Sequence, residues 1–175
     1  DYIGDSFYLS KVATKVSQDR IIFAGVEFMG ESAKILNPKK RVFMPDMNAD
    51  CPMAHMADKD EILALREKYD DLAVVCYINS TAELKKYSDV CVTSSNAVKI
   101  VKNLPNKNIF FIPDRNLGSY VAKQCPDKNF IFNNGCCPRH VVITKDMVLK
   151  AKELHPEARF AAHPECTEDV LAFAD

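Results

Sequence analysis

The strongest constraint on this chain is its alternation of short apolar runs with segments of helical periodicity. Leu72-Ala73-Val74-Val75-Cys76-Tyr77, Ile109-Phe110-Phe111-Ile112 and Phe130-Ile131-Phe132 are continuous apolar runs of strand length. Further strands are expected over Arg20–Gly25, Arg41–Met44, Val90–Thr93 and Arg159–Ala162. Helical spacing recurs between them, first in Leu9, Val12, Ala13 and Val16 behind an Asp5-Ser6 cap, then over Phe28–Leu36 and Lys59–Tyr69. Ser80-Thr81-Ala82-Glu83 reads as a capping box with Ser80 as the cap, and helices are expected over Asn96–Lys102, over Leu117–Lys123, and behind Thr144 and Thr167. Short strands separated by single helices imply βαβ crossovers, because a parallel neighbour is reached only through a long connection. The expected class is α/β, with short parallel sheets covered on both faces.

A second constraint is internal. Gly135-Cys136-Cys137-Pro138-Arg139-His140 crowds two thiols, a proline and an imidazole into one loop. Cys51, in Asp50-Cys51-Pro52-Met53-Ala54-His55, precedes Cys137 by 86 positions, and the same offset relates Tyr77 to His163, Asn79 to Glu165 and Asp89 to Asp175. A duplicated unit explains the echo. A further echo sets Lys34-Ile35-Leu36 before Phe43-Met44-Pro45-Asp46 beside Lys99-Ile100-Val101 before Phe111-Ile112-Pro113-Asp114. The switches between units are placed near residues 70–76 and 158, giving units over 1–73, 74–158 and 159–175.

Charge and cysteine usage exclude several function classes. A formal charge of -1 without a long basic run does not suit a nucleic-acid partner held through phosphates. No apolar run approaches the roughly 20 residues of a membrane span, and the N-terminal stretch lacks the plan of a signal peptide. A soluble, cytoplasmic protein is expected. Seven cysteines at irregular spacing make a poor disulfide framework. Cys76 and Cys91, inside strand patterns, read as small hydrophobes, and Cys166 as a small buried filler. Cys136 reads as a bystander to Cys137, and His55 and His155 as surface residues.

Ligands of open α/β sheets bind beyond the carboxyl ends of strands, where helix N-termini favour anions. The polar residues expected there are Tyr77, Asn79, Thr93-Ser94-Ser95-Asn96, His163 and Glu165. The residues alone leave metal chemistry open: a structural zinc site from Cys51, His55, Cys137 and His140 suits zinc's ligand preferences, and a metal-free small-molecule module is the other alternative.

Five ordered motifs carry a resemblance. Cys51-Pro52-Met53-Ala54, Tyr77-Ile78-Asn79-Ser80-Thr81-Ala82-Glu83, Val92-Thr93-Ser94-Ser95-Asn96-Ala97-Val98, Pro113-Asp114-Arg115-Asn116-Leu117-Gly118 and His163-Pro164-Glu165-Cys166 closely resemble the quinolinate synthase family, the iron-sulfur enzymes of the de novo route to NAD. The resemblance implies three α/β/α domains in a pseudo-threefold arrangement, each giving one cysteine to a [4Fe-4S] cluster. The first two ligands map onto Cys51 and Cys137. The third, with the rest of the last domain, is expected beyond Asp175, and an early His motif before Asp1. Three ligands leave one iron open to act as a Lewis acid. The implied reaction condenses iminoaspartate with dihydroxyacetone phosphate, losing phosphate and water to give quinolinate, with possible functional coupling to L-aspartate oxidase. The resemblance makes Tyr77 and Glu165 acid/base groups, and Asn79 a partner to a substrate carboxylate. Ser6 and Ser94 become carboxylate or phosphate contacts, His163 a group fixing substrate oxygens, and His140 a neighbour of the second ligand. These 175 residues alone are expected neither to hold the cluster stably nor to make quinolinate.

Overall fold

A computed structural model of the chain describes residues 2–175. Its centre is β3 (Leu72–Tyr77), in which all six side chains are buried. A strand with no polar face must be covered on both sides. In the parallel four-stranded sheet it lies between β4 (Val90–Val92) and β5 (Asn108–Ile112), with β6 (Asn129–Phe132) beyond β5. Alternation then divides the core. Ala73, Val75, Tyr77, Ile109 and Phe111 face Ala97 and Val101 of α5 (Ala97–Asn103) and Leu117 and Val121 of α6 (Arg115–Gln124). Leu72, Val74, Cys76, Phe110 and Ile112 face Ile62 of α3 (Lys59–Lys68) and Leu84 of α4 (Ala82–Lys86). The result is an α/β/α sandwich, with roughly 2 kcal/mol gained for each large apolar side chain fully removed from water.

Ahead of this sandwich, α1 (Ser6–Lys15), β1 (Arg20–Ile22), α2 (Glu27–Leu36) and β2 (Arg41–Phe43) build a two-stranded parallel sheet. Polar contacts join it to α4: Glu31 Oε2 accepts from the Ala82 N–H at 2.7 Å, and Lys85 Nζ donates to Ser32 Oγ at 2.9 Å. After the sandwich, α7 (Lys145–Leu154) and α8 (Glu168–Leu171) enclose a small core of Val148, Cys166 and Val170.

The 86-residue echo extends to the elements themselves. α3 and α7 coincide at both ends under that offset, capped by the side chains of Asp58 and Thr144. Asp89 accepts from the Val74 N–H and pairs with Arg66, and at the same offset Asp175 accepts from the Phe160 N–H and pairs with Lys152.

Four details of the sequence reading are corrected. Register matches β1–α2–β2 to β5–α6–β6, because Arg20 faces Arg41 as Asn108 faces Asn129, so the echo of Lys34–Leu36 with Lys99–Val101 joins non-equivalent helices. Thr81, not Ser80, caps α4. The buried Ser80 hydroxyl instead donates to the Tyr77 carbonyl at 2.8 Å, satisfying an acceptor at the strand end. α6 begins two residues earlier than Leu117, behind an Asp114 cap. Arg159–Ala162 forms no strand, since no strand among the described residues lies beside it to supply a ladder; Phe160 bonds through both backbone groups to Asp175.

Candidate functional site

The Cys137 loop is fixed at the carboxyl edge of β5 by one fully buried carboxylate. Asp114 Oδ1 accepts from the Leu117 N–H at 2.7 Å, capping α6, while Oδ2 accepts from the Cys137 N–H at 2.9 Å. Burial pushes the Asp114 carboxyl up to about 6; the Leu117 amide opposes the shift and the charge of Glu165 adds to it. Asn133 Nδ2 donates to the carbonyls of Pro113 and Met56, and Arg115 N–H donates to Gly135 O at 2.8 Å. A Cβ on Gly135 would stand 2.5 Å from Pro113 O, so only glycine fits this approach.

Around the Cys137 sulfur the chain gathers two imidazoles, a carboxylate and a phenol. His140 Nδ1 lies 3.1 Å from Cys137 Sγ and 2.7 Å from Glu165 Oε2. Cys137, His140 and Glu165 bring one ligand atom each to within 4.8 Å of one another, the spacing of a metal-binding group. His163 stacks on His140 with ring centroids 4.9 Å apart, and its Nδ1 accepts from the Glu165 N–H at 3.3 Å, which leaves the ring proton on Nε2. Burial, reinforced by the adjacent His140, lowers the His163 pKa and favours the neutral ring, with Glu165 acting against both. Glu165 is only 2% exposed, and Asn116 Nδ2 donates to its carbonyl at 3.1 Å.

Burial and then the Glu165 carboxylate raise the Tyr77 phenol far above its ordinary value, keeping it a proton donor. The Cys137 thiol is pushed up to about 11, by burial first, with the amides of Arg139 and His140 opposing and Glu165 adding. A buried thiol beside a carboxylate is costly to ionise unless a cation receives the thiolate, which suits a ligand position.

Cys51 is half-buried and packs against the same core cluster that contains Cys137 and Tyr77. Its N–H donates to Asp50 Oδ1 at 2.7 Å. Ser94 lines a cleft of about 450 Å³ with Pro164, the residue between His163 and Glu165. Asn79 is half-buried just beyond β3, and Ser6 opens α1 behind the Asp5 cap; neither belongs to the Cys137 group. The four-ligand zinc set is not assembled. His55 turns to Asp50, Nε2 to Oδ2 at 2.7 Å, and groups with Glu27 rather than with Cys137 and His140. Sequence reasoning gives no role to Asp114 or Asn116. The available signal is Pro113-Asp114 at a strand-to-helix junction, which marks a cap but not the second bond to Cys137.

Comparison with known proteins bears on this geometry. The family profile described as "Quinolinate synthetase A protein" matches residues 1–175. The chain belongs to the quinolinate synthetase A family. Among curated relatives, the quinolinate synthase of Fusobacterium nucleatum is 61% identical over all 175 residues, which span 59% of that protein. Those of Caldicellulosiruptor saccharolyticus and Clostridioides difficile are 55% and 48% identical over the whole chain, which covers 58% of each. The chain therefore spans under two thirds of the length of these relatives. Among the described residues, no helix is long and apolar enough to cross a membrane.

Proposed function

We propose that the intact protein is a quinolinate synthase, condensing iminoaspartate with dihydroxyacetone phosphate to quinolinate with loss of phosphate and water. The observation that carries this reading is the group of Cys137, partly buried His140 and buried Glu165 beside Tyr77, in a chain matched from end to end by one enzyme family. The donor set fits a cluster: two thiols from equivalent loops pack on one core, and the four-residue zinc set of Cys51, His55, Cys137 and His140 is not gathered. Cys51 and Cys137 would hold a [4Fe-4S] cluster with a third cysteine from outside these residues. When bound, such a cluster supplies an open iron that polarises substrate oxygens.

The chain's own residues divide the remaining work. Tyr77, held protonated, donates to a developing oxyanion or a departing hydroxyl. Glu165 takes up protons released from substrate carbon, and its placement against His140 gives it a partner for the charge. Neutral His163 presents Nε2–H to substrate oxygens. Asn79 hydrogen-bonds a substrate carboxylate, Ser94 contributes through the cleft beside Pro164, and Ser6 adds a hydroxyl at a helix start.

In this reading, residues 1–73, 74–158 and 159–175 are parts of three α/β/α domains in a pseudo-threefold arrangement, and α3 bridges the first to the second by packing beneath β3. A cytoplasmic location and functional coupling to L-aspartate oxidase belong to the same proposal. The test is anaerobic reconstitution of the intact protein with assays of iron, sulfide, zinc and quinolinate. About four irons with matching sulfide are expected, together with quinolinate formation that Tyr77→Phe and Glu165→Gln each reduce at least about 100-fold. One zinc without sulfide, or no metal, sinks the reading.

A further inference from the structure

Away from this group, two cysteines lie side by side on the opposite face of the sheet. Cys76 in β3 and Cys91 in β4 are register partners in adjacent parallel strands. Both therefore point to the face covered by α3 and α4, while Tyr77 and Val92 point to the other. Neighbouring strands stand roughly 4.8 Å apart, which falls inside the roughly 4.4 to 6.8 Å Cα span that a disulfide bridges. The two differ in access: Cys76 is fully buried and Cys91 is exposed. β4 is a three-residue strand at the sheet edge, and among the described residues no strand pairs with its outer side.

The two thiols titrate as a pair: Cys91, with Ser80, Ser88 and the partly buried Lys85 ammonium, lowers Cys76 against the effect of burial, and Cys91 is raised. In the structure Cys76 Sγ donates to the Tyr77 carbonyl at 3.4 Å, so the buried thiol carries its proton at rest, and exposed Cys91 is the sulfur that solvent reaches.

We propose that Cys76 and Cys91 form a redox-active dithiol that closes to an intrachain disulfide by exchange with a low-molecular-weight disulfide, R–S–S–R. Cys91, the accessible sulfur, loses its proton to solvent and attacks R–S–S–R, forming a mixed disulfide and expelling R–S⁻, which takes up that proton. The Cys76 thiol then loses its proton as it attacks the Cys91 sulfur, breaks the mixed disulfide and expels a second R–S⁻, which takes up the proton from Cys76. The protein dithiol loses two electrons, and R–S–S–R becomes two R–SH. The strand spacing lies below the commonest disulfide span, so the bond reopens readily in excess thiol. This inference is independent of the cluster and of the proposed reaction.

The test equilibrates the full chain, anaerobically, in glutathione buffers of increasing disulfide content, followed by acid quench, alkylation, trypsin and mass spectrometry. Trypsin places Cys76 in peptide 69–85 and Cys91 in peptide 87–99, one cysteine in each. The expected result is a linked 69–85/87–99 species that rises with the disulfide ratio and disappears in excess thiol. Cys76→Ser should arrest the exchange at a glutathione adduct on Cys91, and Cys91→Ser should leave buried Cys76 unmodified. Full alkylation of both cysteines at every ratio, or linkage of either peptide to a different cysteine instead, overturns the proposal.

Discussion

The two cysteine loops share a backbone plan and differ in where the supporting carboxylate comes from. In the first, Glu27 N–H donates to Ala49 O at 2.8 Å; in the second, Arg115 N–H donates to Gly135 O at 2.8 Å. Each thus ties the first turn of a helix to a residue just before its cysteine. In the second loop the cap of α6 is Asp114, which reaches across to the Cys137 N–H. In the first, the cap of α2 is Val26, which has no side-chain acceptor, and the Cys51 N–H is held by Asp50 in the loop itself. Both cysteine amides are held by a carboxylate, and its source differs: the helix cap in the second loop, the loop itself in the first. The consequence is a difference in environment: Cys137 stands among buried Glu165 and Tyr77 and partly buried His140, whereas Asp50 and His55 beside Cys51 are exposed.

The largest test of this comparison is metal content. If both loops ligate one cluster, Cys51→Ala and Cys137→Ala each lower the iron of the intact protein at least about tenfold, while Cys136→Ser leaves it unchanged; iron and sulfide assays decide. A loss confined to Cys137→Ala breaks the equivalence. Next in size is crowding at the residue before the cysteine pair. Gly135→Ala should cost about 2 to 3 kcal/mol in urea unfolding because the new Cβ meets Pro113 O and Asn133, while Ala49→Gly at the matching place costs under about 1 kcal/mol.

The carboxylates come third. Asp114→Ala removes a cap and strands a buried amide, for about 2 kcal/mol, against less than about 1 kcal/mol for exposed Asp50→Ala. Equal costs in denaturant titrations would mean that the buried position confers no advantage. The smallest effect separates the Asp89 and Asp175 bridges. The Phe160 amide, then Lys152, holds the Asp175 carboxyl below its ordinary value, so its contribution is present above the ordinary carboxylate range and lost as pH falls through its depressed pKa. Thermal melts of Asp175→Asn should differ from the parent at pH 7 and converge with it near pH 2, whereas a difference that persists in acid assigns the effect to shape.

Much of this molecule is legible along the chain. β3 and β5 are apolar on both faces and so announce a covered parallel sheet, and Asp5 and Thr144 precede their helices as caps. The Cys51/Cys137 echo and the ordered motifs carry the family. Two local readings failed for local reasons: Ser80 and Thr81 compete for one capping position, and a short run such as Arg159–Ala162 is a strand only when another strand lies beside it.

What the sequence by itself determined was the alternation of elements, the duplicated cysteine loops and the residue types at the strand ends, because these depend on neighbours in the chain. Tertiary structure alone decided that Glu165 reaches Tyr77 and His140, that His163 stacks on His140, that Asp114 serves a helix and a ligand loop at once, and that Cys76 faces Cys91. Those meetings are set by strand register and by how deeply each helix sits on the sheet. Neither quantity is written in any one stretch of residues. The cysteine loop was visible in six residues, but Tyr77, His163 and Glu165, which gather around Cys137 and His140, come from two other segments, the end of β3 and the stretch before α8.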